Sequence, residues 1–159
     1  GTIAGFGNVE LAVKYRFLHQ EEFGWDVSVF PRLFLAGASP RVGDRHASFL
    51  LPVWAGRKFG DWDTFGGGGC ALNNGEGAKD YCLVGWTLTR QVLPELNIGA
   101  EIYHQSADTR GGKAFTGAGV GAVYDLSTNY HLMASWGPGI QNAAATDRYS
   151  WSAALQMTF

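Results

Sequence analysis

The sequence predicts an all-β fold, an antiparallel up-and-down transmembrane β-barrel, because three observations agree. The last segment, 147–159, alternates large apolar residues with small or polar ones, which gives a strand one apolar and one polar face. The composition is rich in Gly (23 residues) and in aromatic residues (14%) and poor in charged ones (16%), as in transmembrane barrels. The segments are also long, since a tilted strand needs about 9–11 residues to cross the hydrocarbon layer and strands of soluble domains have about 5–6.

About nine segments have this length and alternation, and turn-forming clusters separate them. We interpret the chain, 1–159, as a single β-barrel domain. The predicted strands lie at 6–18, 23–35, 47–59, 61–73, 79–92, 95–107, 113–126, 129–140 and 147–159.

The first four segments differ in clarity. The first alternates apolar residues from Val9 to Phe17 with charged ones. In the second, Pro31 removes a ladder hydrogen bond, which predicts a local irregularity. The third is apolar on both faces, so the sequence does not decide which of its residues lie on the apolar face of the sheet. The fourth contains four glycines at 66–69, and we expect a bent strand, because no Lys-Ser/Thr and no helical pattern follows as a phosphate loop requires.

The later segments keep the alternation, and the last one ends on an aromatic residue. We interpret the apolar face of this last strand as the C-terminal signal that the barrel assembly machinery recognises. The residues of this signal are Tyr149, Trp151, Leu155, Met157 and Phe159.

The connections between segments alternate in length, as in bacterial barrels, which have short periplasmic turns and longer outer loops. The outer loops are predicted at 36–45, 73–79, 108–112 and 141–146, and the inner turns at 20–24, 60–61, 93–95 and 126–129. Nine strands leave an open edge at 6–18, which is costly in a membrane. We therefore expect ten or twelve strands in the natural chain, with at least one before Gly1. Either a signal peptide has been removed from this chain or its start is missing.

Charge and hydropathy argue against two classes of protein: nucleic-acid-binding proteins and proteins that cross a membrane with helices. A net charge of −2 and a pI near 6.1 give no broad basic field, so nucleic acid is not an expected partner. No continuous apolar stretch reaches the roughly 18–20 residues of a membrane helix, so a membrane-spanning form must be a closed sheet. A soluble all-β binding protein remains the alternative.

Charged residues recur on the predicted polar face, with both signs present. They either fill a barrel with hydrated ion pairs or line a polar path for solutes, and the sequence does not decide between the two because lumen width depends on strand number. The predicted lumen-lining residues are Glu10, Lys14, Arg16, Asp26, Arg32, Glu101 and Arg148.

Two cysteines, Cys70 and Cys82, lie symmetrically about Glu76 in a predicted hairpin. Directly opposed residues are within disulfide reach, whereas a slip of one residue would place the sulfurs on opposite faces. A disulfide is therefore possible in an oxidising compartment. Two cysteines without a neighbouring His do not indicate a metal site, and we expect neither metal nor cofactor.

A hydrolase interpretation starts from His104 and Ser106, with Glu101 nearby. A His can activate a hydroxyl only if a third group orients it, and the sequence shows no secure candidate. We favour an interfacial histidine beside a loop serine. His19, His46 and His131 stand alone at predicted strand ends and suggest no metal site.

The motifs at 11–17, 59–69, 89–92 and 99–105 resemble a family of outer-membrane transporters associated with the meta-pathway of phenol degradation, and the likeness spans most of the chain. The resemblance implies a porin-like channel or transporter in the outer membrane of a Gram-negative bacterium, for small solutes that include aromatic or hydrophobic ones. Cys70 and Cys82 depart from the family pattern, which leaves the facing of their hairpin open.

A weaker resemblance connects His104 and Ser106 with the lipid A deacylases, eight-stranded outer-membrane barrels. The acidic residue that those enzymes carry about a dozen positions later is missing, since position 118 is Ala. We therefore expect a non-enzymatic barrel with membrane lipid and a small solute as partners. A lipid hydrolase and a structural envelope barrel are the alternatives.

Overall fold

The computed structural model describes residues 8–37 and 46–158. It is all-β, with one antiparallel up-and-down sheet of eleven strands and one short helix. The elements are β1 Glu10–Ala12, β2 Tyr15–Leu18, α1 Gln20–Phe23, β3 Asp26–Val29, β4 Arg32–Phe34, β5 Ser48–Phe59, β6 Trp62–Asn73, β7 Tyr81–Leu93, β8 Leu96–Gln105, β9 Phe115–Asp125, β10 Tyr130–Gln141 and β11 Tyr149–Met157.

The eleven strands correspond to the nine predicted segments because the first two segments are each interrupted once. β1 pairs with β4, β2 pairs with β3, and both β3 and β4 pair with β5. The second interruption falls at Pro31, which confirms the predicted irregularity. The backbone bonds continue across the break, since Val13 N donates to Pro31 O (3.2 Å) and Phe30 N donates to Pro52 O (3.0 Å).

From β5 to β11 each strand pairs with the next in the chain, and the connections alternate in length. Short turns at 60–61, 94–95 and 126–129 lie at the same end as α1, and longer connections at 74–80, 106–114 and 142–148 lie at the other end. Across the described residues β1, β2 and β11 each pair on one side only, so the sheet is not closed. Residues 6 and 7 of the first predicted segment, and Phe159, lie outside the described ranges.

The strand register divides the sheet into an apolar face and a polar face. Large apolar side chains on the apolar face are exposed, such as Val13 (68%), Val120 (60%) and Trp151 (72%). The third segment, whose facing the sequence left open, places Leu50 and Pro52 on the polar face in register with Ala71 and Gly69. Leu50 and Ala71 are buried there at 3% and 2% exposure, and Pro52 is fully buried.

The sheet curls so that its polar face is concave. Trp54 on β5, Glu101 on β8 and Ser150 on β11 line one cavity of about 350 Å³ although several strands separate them. Tyr103 reaches along this face to place its hydroxyl 3.2 Å from Ser150 Oγ. Its ring crosses Gly117, where a Cβ would overlap it. The buried Leu50, Pro52 and Ala71 therefore lie on the concave face. Most exposed apolar side chains lie on the convex face, where the Trp86 indole donates to the buried Thr64.

Gly69 permits close strand contact beneath Pro52. A Cβ at this position would overlap the carbonyl oxygen of Leu51 and the Cα of Pro52, and backbone atoms cannot move aside as a side chain end can. We expect Gly69→Ala to lower the free energy of unfolding by about 1–3 kcal/mol, the usual cost of overpacking. Denaturant unfolding would measure it.

Gly85→Ala is the matched control for this prediction, on the same face of the neighbouring strand. The nearest atom to its added Cβ lies 3.5 Å away, an ordinary contact. We expect no loss of stability there, since glycine in a strand is itself unfavourable. Equal losses at Gly69 and Gly85 would contradict the role given to the close contact under Pro52.

Candidate functional site

The polar face forms a cavity of about 550 Å³ beside α1, which we call the basic cavity. Its walls come from the first predicted hairpin and from β5 and β6, whose alternation turns every second side chain inward. Its charged and aromatic lining residues are Lys14, Arg16, Glu21, Asp26, Trp54, Arg57, Lys58, Asp63 and Phe65.

Two ion pairs cross between strands in the basic cavity. Arg16 Nη1 donates to Asp26 Oδ1 at 3.0 Å, and Lys58 Nζ lies 3.9 Å from Asp63 Oδ2. All four side chains are more than a third exposed. These pairs therefore contribute little to stability, and their charges stay accessible to water and to solutes.

Gln20 in α1 closes one end of the basic cavity. Its side chain bonds the backbone of β5 in both directions, since Nε2 donates to Lys58 O (2.7 Å) and Oε1 accepts from Lys58 N (2.8 Å). Its backbone N–H donates to Asp26 Oδ1 (3.1 Å). Sequence reasoning missed this residue, because a glutamine in a turn carries no signal of a contact 38 residues away.

An aromatic pair forms part of the cavity wall, with Lys14 above it. Trp54 and Phe65 stack with ring centroids 5.3 Å apart and an interplanar angle of 18°. Lys14 Nζ lies 5.5 Å from the Phe65 centroid, a cation–π distance. In the part of the chain that the structure describes, no carboxylate lies within 4.0 Å of Lys14. Its positive charge is therefore not neutralised by an ion pair there.

Glu10 and Arg32 form a second polar cluster, away from α1. Arg32 donates to both oxygens of Glu10, from Nε at 2.7 Å and from Nη2 at 2.8 Å. The guanidinium also lies between the rings of Phe30 and Phe34, 5.5 and 5.1 Å from their centroids. In this bidentate, ring-flanked pair each charge meets its counter-ion.

The last two predicted lumen residues belong to neither cluster. Glu101 lies on β8 in register with Thr87 and Gly119 and lines the cavity of about 350 Å³. Arg148 directly precedes β11, and its carbonyl accepts from Gly139 N (3.0 Å). The structure thus brings together Lys14, Arg16 and Asp26 in one group and Glu10 with Arg32 in another.

One row across β8 to β11 carries no large side chain on the polar face. The row reads Gly99, Gly121, Ser135 and Ser152, with the two serine hydroxyls 2.7 Å apart. We call this row the bare wall. It faces the same concave side as the basic cavity, because Trp54 and Ser150 line one cavity.

The structure does not assemble the hydrolase group considered from the sequence. His104 lies on the apolar face and Glu101 on the polar face, since they are three positions apart on one strand. His104 Nδ1 lies 2.9 Å from Thr116 Oγ1, and Ser106 Oγ accepts from Cys82 N (2.9 Å). Glu101 therefore cannot orient His104 to activate the Ser106 hydroxyl.

The interpretation that His19 and His131 stand alone is wrong. His131 Nδ1 lies 2.6 Å from Asp125 Oδ1, and Nε2 lies 3.2 Å from Thr158 Oγ1. These contacts join the residue after β11 to β10 and to the end of β9. Potential ligand atoms of His19, Glu21 and Asp26 lie within 4.8 Å of one another. We assign no metal, because Asp26 already accepts hydrogen bonds from Arg16 and Gln20.

Cys70 and Cys82 are disulfide-bonded, with their Cα atoms 4.0 Å apart in direct register. The hairpin facing that the sequence left open is thereby decided, since both residues share the apolar face with Val84 and Trp86. The described residues of the predicted C-terminal signal lie on the same face. Their exposed fractions are 64% for Tyr149, 72% for Trp151, 64% for Leu155 and 48% for Met157.

No family model matches this sequence, and no curated protein resembles it at a significant level. The resemblance to the phenol-pathway transporters therefore stays a prediction. In the described ranges no helix is long and apolar enough to cross a membrane.

Proposed function

We propose that this protein is a bacterial outer-membrane β-barrel that passes small solutes along its polar inner face, without enzymatic activity. The observation that carries the proposal is the exposed apolar convex face opposite a concave polar face. Soluble monomers rarely expose one contiguous apolar patch beyond a few hundred Å². A transmembrane sheet requires this arrangement, because one face meets hydrocarbon and the other meets water.

The distribution of charge supports the membrane assignment. On the apolar face of the described strands no carboxylate occurs, and the two guanidinium groups, Arg57 and Arg90, both lie near the short turns. Charge is costly at the bilayer midplane and tolerated near the interfaces. Both arginines lie at the short-turn end of the apolar face, and the rest of that face carries no guanidinium in the described strands. This distribution fits a hydrocarbon layer that covers the apolar face from Arg57 and Arg90 toward the longer connections.

The basic cavity supports the passage of solutes. A barrel that is only filled would pair its inner charges, as Glu10 and Arg32 do. Lys14 instead has an accessible charge beside the aromatic pair, and the bare wall leaves room on the other side. A charged group of this kind on a pore wall sets ion selectivity.

Reversing the charge of Lys14 tests this function in planar bilayers. We expect the full-length protein to conduct steadily, and Lys14→Glu to shift its reversal potential toward cation preference by removing a cation from the pore wall. Lys113→Glu, the same change in the connection at 106–114, should leave selectivity unchanged. A protein that is folded by heat-modifiable gel migration yet shows no conductance would overturn solute passage.

A further inference from the structure

Arg57 and Arg90 lie near the short-turn edge of the apolar face, on the two strands that flank β6, and Arg57 also borders the basic cavity. Arg57 on β5 is in register with Thr64, and Arg90 on β7 is in register with Trp62, so both flank β6 with an offset of two residues. The Arg90 guanidinium lies 5.3 Å from the Trp62 ring centroid. Tryptophan is typical of the membrane interface, so in the proposed membrane orientation the two guanidiniums lie at headgroup depth.

Neither arginine has a counter-charge among the described residues. Over residues 8–37 and 46–158 no carboxylate lies within 4.0 Å of Arg57 or Arg90. Both side chains are exposed. A guanidinium presents a planar fork of donors that matches phosphate oxygens bidentately. Two guanidinium groups without a counter-charge among the described residues, at the edge of an apolar surface, favour an anionic partner.

A groove on the apolar face begins at Arg90. Continuing the register from Arg90 through Ile98 leads to a row of three small residues on β9, β10 and β11, which we call the alanine groove: Ala122, Ala134 and Ala153. The next row on one side is Val120, Trp136 and Trp151, and the next row on the other side is Tyr124, Leu132 and Leu155.

The groove has the size and chemistry for a hydrocarbon chain. The depression measures about 820 Å³, and Arg90, Trp62, Ala122, Ala134 and Trp136 are among its lining residues. From Arg90 on β7 to Ala134 on β10 it runs roughly 14 Å, three inter-strand spacings. The floor of the groove consists of alanine methyl groups. The backbone N–H and C=O groups of the sheet below are already hydrogen-bonded to neighbouring strands, so a bound peptide would find no partners for its own N–H and C=O groups.

We propose that an anionic phospholipid binds here, with its phosphate on Arg57 and Arg90 and one acyl chain in the alanine groove. This inference rests on the proposed membrane function. A hydrocarbon chain needs no hydrogen-bond partners, and the phosphate supplies the missing counter-charge at the groove mouth. The site would favour an anionic headgroup such as phosphatidylglycerol over zwitterionic phosphatidylcholine, whose choline brings a cation toward the guanidiniums.

Native mass spectrometry of the full-length protein, released from vesicles of equal phosphatidylglycerol and phosphatidylcholine, tests the site. We expect phosphatidylglycerol to be retained preferentially. Arg57→Gln with Arg90→Gln should reduce that preference by about fivefold for each charge removed. Arg57→Lys with Arg90→Lys should keep part of it, because charge remains and the bidentate geometry is lost. Lys113→Gln, a remote charge loss, should have no effect.

A second experiment tests the groove itself with Ala134→Phe, whose ring would fill it. The control is Ala118→Phe, which adds the same ring on the apolar face of β9, in register with Ile102 and outside the alanine groove. We expect loss of retained lipid in the first variant alone. Quenching of tryptophan fluorescence by brominated acyl chains reports membrane insertion independently. Quenching without headgroup preference would overturn the lipid site and leave the barrel proposal standing, whereas absence of quenching would overturn both.

Discussion

Arginine at Val120 is expected to lower the free energy of unfolding by about 2–4 kcal/mol when the protein is folded in lipid vesicles. Val120 lies on the apolar face of β9 at 60% exposure, in register with Ala100 and Trp136. Replacing an exposed valine in water usually changes stability by about 0.5 kcal/mol or less. The size of the loss therefore reports whether hydrocarbon or water covers this face.

Thr87→Arg provides the control, because Thr87 lies on the polar face in register with Glu101. A cation there meets water and a carboxylate, so we expect almost no loss. Urea titrations of both variants in the same vesicles give the comparison. A Val120→Arg protein as stable as Thr87→Arg would show that the apolar face does not lie in a membrane.

Removing the disulfide with Cys70→Ala and Cys82→Ala is expected to lower the free energy of unfolding by about 3 kcal/mol. The two residues are 12 positions apart, and closing a loop of this size restricts the unfolded chain by roughly that amount. The native hairpin should persist, because the β6–β7 ladder extends from Ala71 to Trp62 independently of the bond.

A reductant gives the matched measurement. It should destabilise the unsubstituted protein by about the same amount as the double substitution, and it should leave the double variant unchanged. If reduction and substitution both leave the unfolding midpoint where it was, the bond contributes nothing to stability, and the chain-entropy argument fails for this hairpin.

The sequence predicted the strand positions well because alternation is a local property. The spacing of Val84, Trp86 and Leu88 alone predicts that they share one face of the strand. Pro31 predicts an interruption of the strand because it lacks a backbone N–H. The third segment, apolar on both sides, could not be oriented this way. Its facing depends on the partner strand, where Gly69 makes room for the buried Pro52.

The candidate site was only partly predictable. Lys14, Arg16 and Asp26 were chosen because each is charged at an inward position, but their grouping depends on how α1 folds back and on a contact between Gln20 and Lys58. Phe65 did carry a signal, being a large aromatic at a polar-face position. Curvature, which brings Trp54 near Ser150, leaves no pattern in the sequence.

The bare wall of β8 to β11 has a consequence for any solute that passes. The Lys14 ammonium, which no described carboxylate pairs, lies on one side of the concave surface, and the bare wall, with Glu101 two residues from its Gly99, lies on the other. The electric field inside would then point across the passage rather than along it. A molecule with a negative end and an apolar end would be turned sideways, its negative end toward Lys14, before it moved on.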